Sequence, residues 1–478
     1  MSLAAHTAVA LGRGMAVGVL AVAAGLPLRN LLASAGRGTR RLAWAAVLAP
    51  YLTPVLLVGY AYSNFSLSLV RHPGWNALLY SLLLWMKLVP VAVLVLWFAP
   101  SPLSPQAVHC RRLLRAGERG FRARLDYLAF LCRGPVRDLA VAFTLVFLLA
   151  FAEFEMASLM GVRTWTVSIF DAQAGGLSVA ESLRLSLVPI AVEVALLVVA
   201  LRILFGARGV PAGPSRRPAG GRLGRWFASA YLVVAVLLVT ALPAGIVLRG
   251  TLGGLSTVVG SFALGRDIAA SLLFAGAGAA GVYLVAGWFS GRALSHGGSR
   301  GGLLCGVGLS VTGLLGPLVL ALLMVFVFQA LRLRHLYDTP VPLVVALALV
   351  LFPFALLLRV LLHAFRPGSA LHAAELLGAS GARRVRRWRG RLVWEMKARG
   401  RFWVGFLLFC WGYFDLTASA ILAPPGMTTV TVRLYNLMHY GQTAVLSAMV
   451  CVAFAVPVVV LLVAGAAGVL WSRRLAHG

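Results

Sequence analysis

Lys87, Glu153, Glu155 and Asp415 are ionisable side chains that stand inside apolar stretches of this chain. Desolvating a charge is costly, so residues of this kind either serve a transport pathway, by attracting a cation or relaying a proton, or brace neighbouring helices. Glu155 and Asp415 occupy matching places in two similar segments, Phe154-Glu155 and Phe414-Asp415, which lie 260 positions apart. Two acids related in this way suit a central pathway that attracts a cationic cargo, with Lys87 beside it. Pairing with Lys87, or hydrogen bonding between helices, is the structural alternative.

A second group of residues carries shape rather than acid–base chemistry. His372-Ala373-Ala374-Glu375-Leu376-Leu377-Gly378 precedes a run of arginines, Arg383, Arg384, Arg386, Arg387, Arg389 and Arg391. A short helix with small residues at Ala373, Ala374 and Gly378 lets another protein surface approach its backbone. Leu376 and Leu377 supply an apolar knob, and Gly378 gives free φ for the turn that follows. A related copy, His109-Cys110-Arg111-Arg112-Leu113-Leu114-Arg115-Ala116-Gly117, keeps the leucine pair but has Arg115 where the other has Gly378. The alternative for both is a solvated basic loop held against anionic headgroups.

Enzyme chemistry finds little support. Gly276-Ala277-Gly278-Ala279-Ala280-Gly281 spells a dinucleotide fingerprint but lies in an apolar run without a strand before it, so helix packing is the better account. The chain has no P-loop and no HExxH, and its five cysteines form no CxxC pair. No resident cofactor or metal is expected, and ATP hydrolysis by this chain is not.

The elements that must position these residues follow from composition. Of 478 residues, 60% are apolar and 12% charged, and the apolar ones fall in blocks of bilayer-spanning length. The expected fold is an all-α polytopic membrane protein with about 11 transmembrane helices, at 10–33, 42–62, 76–100, 136–160, 183–205, 226–249, 266–290, 301–331, 338–364, 402–423 and 441–471. Alternate connecting segments hold 29 and 5 basic residues. The positive-inside rule therefore predicts an external N-terminus and a cytoplasmic C-terminus. The net charge of +30 is then mainly a topogenic signal, and nucleic acid is not an expected partner.

The chain also repeats. At an offset of 263, Pro54 matches Pro317, Pro90 matches Pro353 and His109 matches His372. Two homologous halves are expected: 1–205 with about five spans and the basic loop 101–135, and 226–478 with about six spans and the loop 365–401. The Gly/Pro/Arg-rich segment 206–225 reads as a cytoplasmic linker. The first half has no counterpart of 226–249.

With those residues in place, the segment at 372–378 resembles the EAA loop of inner-membrane permease subunits of binding-protein-dependent ABC importers. That pattern is Glu-Ala-Ala, three residues, Gly, and a later Ile-x-Leu-Pro. Ala373, Ala374 and Gly378 are in register, His372 replaces the Glu, and Gly390-Arg391 replaces the terminal Leu-Pro. The fused two-half permeases of the iron(III), thiamine and 2-aminoethylphosphonate type are similar over nearly the whole chain. The resemblance implies a bacterial inner-membrane subunit that forms a translocation pathway and couples, through His372–Gly378 and His109–Gly117, to cytoplasmic ATPase subunits that use the ATP. It further implies a periplasmic substrate-binding protein, docking near 161–171 and 424–441. The plain reading of those external stretches is an interfacial anchor with Trp165, Tyr435 and Tyr440 at headgroup level. An ion-coupled secondary transporter with internal repeats, or a non-transporting membrane scaffold, fits the same spans. The cargo itself is not legible.

Overall fold

The computed structural model describes residues 3–69, 71–98, 135–205, 221–258, 262–295, 300–330, 333–364, 399–438 and 444–477, with the single positions Cys110, Leu113 and Leu376. All regular structure among the described residues is helical. Seven helices among the described residues are long and apolar enough to cross a membrane: Leu3–Ser34, Pro73–Trp97, Val179–Val199, Arg222–Leu255, Leu264–Gly291, Val341–Arg359 and Ala444–Ala466. Two bent pairs, Gly38–Leu52 with Val55–Ser63 and Gly308–Leu314 with Pro317–Gln329, raise the number to nine if each pair is one span. Continuous apolar sequence forms helices here because a lipid-exposed backbone must satisfy its own hydrogen bonds. Large apolar side chains, such as Leu223 and Leu252, are left exposed on the helix surfaces.

The chain divides into two compact units, Met1–Ile246 and Val247–Gly478. In the first, glycines let helices approach closely. A Cβ on Gly18 would stand 2.8 Å from the Phe143 ring and one on Gly14 3.0 Å from Phe147, so helix Leu3–Ser34 seats directly on helix Pro135–Phe151. In the second, a Cβ on Gly313 would meet Pro353 Cδ at 2.7 Å, joining helix Arg300–Leu314 to helix Val341–Ala364. The three glycines of the 276–281 motif do not act together: Gly278 lies against Leu347, whereas Gly276 and Gly281 face open space.

The prolines matched in the sequence behave alike at one pair of positions. Pro54 lies in a break between two helices bent by 68°, and Pro317 opens the helix after a break bent by 112°. Pro90 and Pro353 instead lie inside the helices Pro73–Phe98 and Val341–Ala364. Besides the two bent pairs, two further expected spans are not continuous helices. The stretch 136–160 is helix Pro135–Phe151, a break at 152–154, and the short helix Glu155–Leu159. The stretch 402–423 is helix Arg399–Tyr413, a break at 414–416, and the short helix Thr417–Leu422.

The stretch 226–249, read from sequence as the opening of the second half, belongs up to Ile246 to the first unit. Tyr231 donates to the Met86 carbonyl at 3.0 Å and its ring meets Trp85 edge-on. Tyr62 donates to the Leu238 carbonyl at 2.9 Å, and the hydroxyls of Thr53 and Thr240 are 2.8 Å apart. The segment Val236–Ala241, which carries two of these contacts, is a π turn. The unit boundary falls inside helix Leu242–Val258, whose last turns pack on the start of helix Ala444–His477: Thr251 reaches the Ser447 carbonyl at 3.3 Å.

Candidate functional site

The break at 152–154 is built from the carboxylate of Glu153 outward. One oxygen accepts the N–H of Met156 at 2.5 Å; the other accepts the N–H of Ala157 at 3.1 Å and the hydroxyl of Tyr80 at 2.6 Å. A carboxylate over the first N–H groups of a helix is favoured by their partial positive charge, so Glu153 both ends one helix and starts the next. The backbone freed at the break is also taken up. Trp165, fully buried, donates its indole N–H to the Phe151 carbonyl at 2.8 Å, and Thr166 donates to the Glu153 carbonyl at 2.9 Å.

The break at 414–416 repeats the pattern. Asp415 accepts the N–H of Ser419 at 3.0 Å, and Thr431 donates to the Asp415 carbonyl at 2.9 Å. In both places the threonine is the second of a pair whose hydroxyls touch, Thr164 with Thr166 at 2.7 Å and Thr429 with Thr431 at 3.2 Å. By this geometry the counterpart of Asp415 is Glu153. Glu155, which the sequence comparison aligns with Asp415, opens the helix Glu155–Leu159 and is partly exposed. The Trp165 ring lies wholly inside the protein, so it has no exposed face with which to meet headgroups.

After each break a short helix is tied back to a long one. His6 and Ser168 join Leu3–Ser34 to Trp165–Ala174 at 2.7 Å, with Ser168 also donating to the Thr164 carbonyl. In the second unit Arg433 pairs with the fully buried Asp267, and the Val430 N–H donates to Ser271 at 2.8 Å, joining Val430–Met438 to Phe262–Ser295. Sequence reading missed Asp267 and Arg433, which lie 166 positions apart.

Lys87 is buried, and its ammonium donates to the carbonyls of Pro50 and Tyr51, each at 3.3 Å, and of Thr53. Glu155 and Glu153 act on it electrostatically. Glu193 is the other residue missed from sequence, although a lone acid in the run 183–205 was the available signal. It lies on the buried face of helix Val179–Phe205, in line with Ser182 and Ser186, and neither carboxylate oxygen has a hydrogen-bond partner among the described residues. Arg359, near the end of helix Val341–Ala364, stacks 3.9 Å from the Tyr283 ring centroid.

Among the expected coupling residues, His109, Leu114, Gly117, His372, Ala373, Ala374, Leu377 and Gly378 lie outside the described residues. Leu113 and Leu376 are described, both helical and both 62% exposed. They are 263 positions apart, the offset that relates Pro54 to Pro317. Among the described residues no three His, Cys, Asp or Glu side chains are grouped to hold a metal ion. No protein-family model matches the chain, and neither a curated protein nor a solved structure matches it.

Proposed function

We propose that the chain is the membrane-spanning permease of a binding-protein-dependent ABC importer, with two homologous halves and about 11 spans fused in one polypeptide of the bacterial inner membrane. The observation that carries this reading is the repeated break: a carboxylate starting a short helix, with its own carbonyl held by a threonine hydroxyl, at Glu153/Thr166 and again at Asp415/Thr431. A permease that alternates between inward and outward access needs two equivalent sets of elements about a pathway, and broken helices supply points where they pivot.

The exposed leucines Leu113 and Leu376 fit the same reading, since an apolar side chain standing out of a basic loop suits a protein groove better than water. ATPase subunits would take the loops at 101–135 and 365–401 on the cytoplasmic side, where the C-terminus also lies. A binding protein would deliver cargo outside. The test is copurification with an ATPase whose turnover rises with loaded binding protein in reconstituted vesicles. Turnover indifferent to the binding protein would count against the importer.

A second reading, an ion-coupled secondary transporter, is favoured by Glu193, an acid inside a span with neither oxygen hydrogen-bonded among the described residues. Dissipating the proton gradient abolishes uptake under that reading and leaves ATP-driven uptake intact under the first.

A further inference from the structure

We propose that the starts of helices Arg37–Leu52 and Arg222–Ala235 together bind the headgroup of an anionic phospholipid, with Arg40, Arg41, Arg222 and Arg225 as the partners of its phosphate.

The two helices start level with each other. They pack side by side, and beyond their far ends the hydroxyls of Thr53 and Thr240 touch at 2.8 Å. Arg40 lies 13 residues before Thr53 and Phe227 lies 13 before Thr240, a climb of about 20 Å along either helix. Two other helices end at the same place. A Cβ on Gly224 would stand 3.9 Å from Pro27, so the first turn of helix Arg222–Ala235 rests on the last turns of helix Leu3–Ser34. Arg29 donates to the Leu96 carbonyl at 3.4 Å, and Trp97 meets Trp44 edge-on at 5.4 Å, which brings in the end of helix Pro73–Phe98.

The positive charge gathered here is not matched within these helices. None of the four carries an Asp or Glu, and the sequence has neither at 1–117 nor at 194–266. Arg41, Arg222 and Arg225 are exposed, and Arg40 is half-buried. Both helices begin on a glycine, Gly36 and Gly221, which has no side chain to cap the first N–H groups. Guanidinium groups and the positive end of a helix are both partners for a phosphate oxygen.

Apolar side chains decide which phosphate. Leu42, beside Arg41, and Leu223, Trp226 and Phe227, among Arg222 and Arg225, are exposed at 74%, 80%, 70% and 43%. Leu223 and Phe227 stand four apart and line one helix face. A free phosphate or a nucleic acid leaves that stripe in water. A phospholipid covers it with acyl chain while its headgroup meets the arginines. The positive-inside rule puts this end at the cytoplasmic face, which is where anionic lipid would meet it. The inference rests on the first unit alone and does not depend on what the chain transports.

The experiment is thermal unfolding of the full-length protein in detergent micelles doped with phosphatidylglycerol or, at the same mole fraction, zwitterionic phosphatidylcholine. Phosphatidylglycerol should raise the midpoint above that in phosphatidylcholine by about 2 °C or more, saturably, and by less at high salt. Soluble glycerol phosphate should give no rise; one equal to the lipid's would show a free-phosphate site and overturn the proposal. The combined variant Arg40→Gln, Arg41→Gln, Arg222→Gln and Arg225→Gln should lose most of the lipid's effect. Changing four exposed arginines elsewhere to Gln, at Arg71, Arg184, Arg249 and Arg334, removes the same charge and should leave the effect in place. Equal losses in the two variants would mean that net charge holds the lipid, and would overturn the site. So would the absence of any rise in the unaltered protein. If the first variant is not recovered folded, the pairs Arg40→Gln/Arg41→Gln and Arg222→Gln/Arg225→Gln are put through the same comparison. There a reduced rise in each supports the site, and an undiminished rise in either overturns it.

Discussion

Thr431 donates its hydroxyl to the carbonyl of Asp415 at 2.9 Å, across 16 positions of sequence, and in doing so satisfies a carbonyl that the broken helix has released. Thr431 is buried at 1% exposure, so no water can replace it. Thr431→Val keeps the shape and removes the donor. It should lower stability by about 1–3 kcal/mol, the cost of an orphaned buried acceptor, read as a fall in the thermal midpoint. Thr166→Val, acting on the Glu153 carbonyl, should behave alike; two unchanged midpoints would refute the account of both breaks.

The pair Asp267–Arg433 differs in that one partner is fully buried and the other is 29% exposed. Removing the exposed partner therefore strands the buried one. Arg433→Met is expected to cost about 3–5 kcal/mol, and Asp267→Asn placed in that background should recover part of the loss. A double-mutant cycle in thermal unfolding measures the coupling; additive effects would contradict it.

Glycine positions provide an internal comparison. Gly313→Ala drives a methyl into the Leu349 carbonyl and Pro353, both rigid, and should destabilise by about 1–3 kcal/mol. Gly281→Ala, on a helix face with open space beside it, should be neutral or slightly stabilising. Equal thermal midpoints for the two variants would show that the close approach at Gly313 is not what holds those helices.

On the importer reading, small residues of the loop at 365–401 transmit ATPase closure. Gly378→Arg or Ala374→Glu should then abolish uptake while membrane insertion, read by fractionation and protease accessibility, stays normal. Uptake at the unaltered rate would remove the coupling role.

The sequence spoke clearly where the physics is local. Apolar runs longer than a bilayer's width must be helical, and those at Leu3–Ser34, Val341–Ala364 and Ala444–His477 are. Pro54 and Pro317 each mark a real break, where proline's missing N–H fits an interrupted helix, although Pro90 and Pro353 are accommodated inside helices. The breaks at 152–154 and 414–416 were not legible in the same way. They contain no proline, and they depend on hydroxyls, an indole and a phenol supplied by distant segments.

By itself the sequence determined a membrane-spanning helical chain, a strong asymmetry of basic residues between alternate loops, and a repeated order of prolines and acids. Tertiary structure alone decided what each polar residue inside the spans does. It set Glu153 rather than Glu155 opposite Asp415 in the recurring pattern, spent Lys87 on three carbonyls, and paired Asp267 with Arg433. The reason is that an apolar run states only that its backbone must bond to itself. Where that bonding is interrupted, the replacement partner comes from whichever helix packs there, and no periodicity within the run records which one that is.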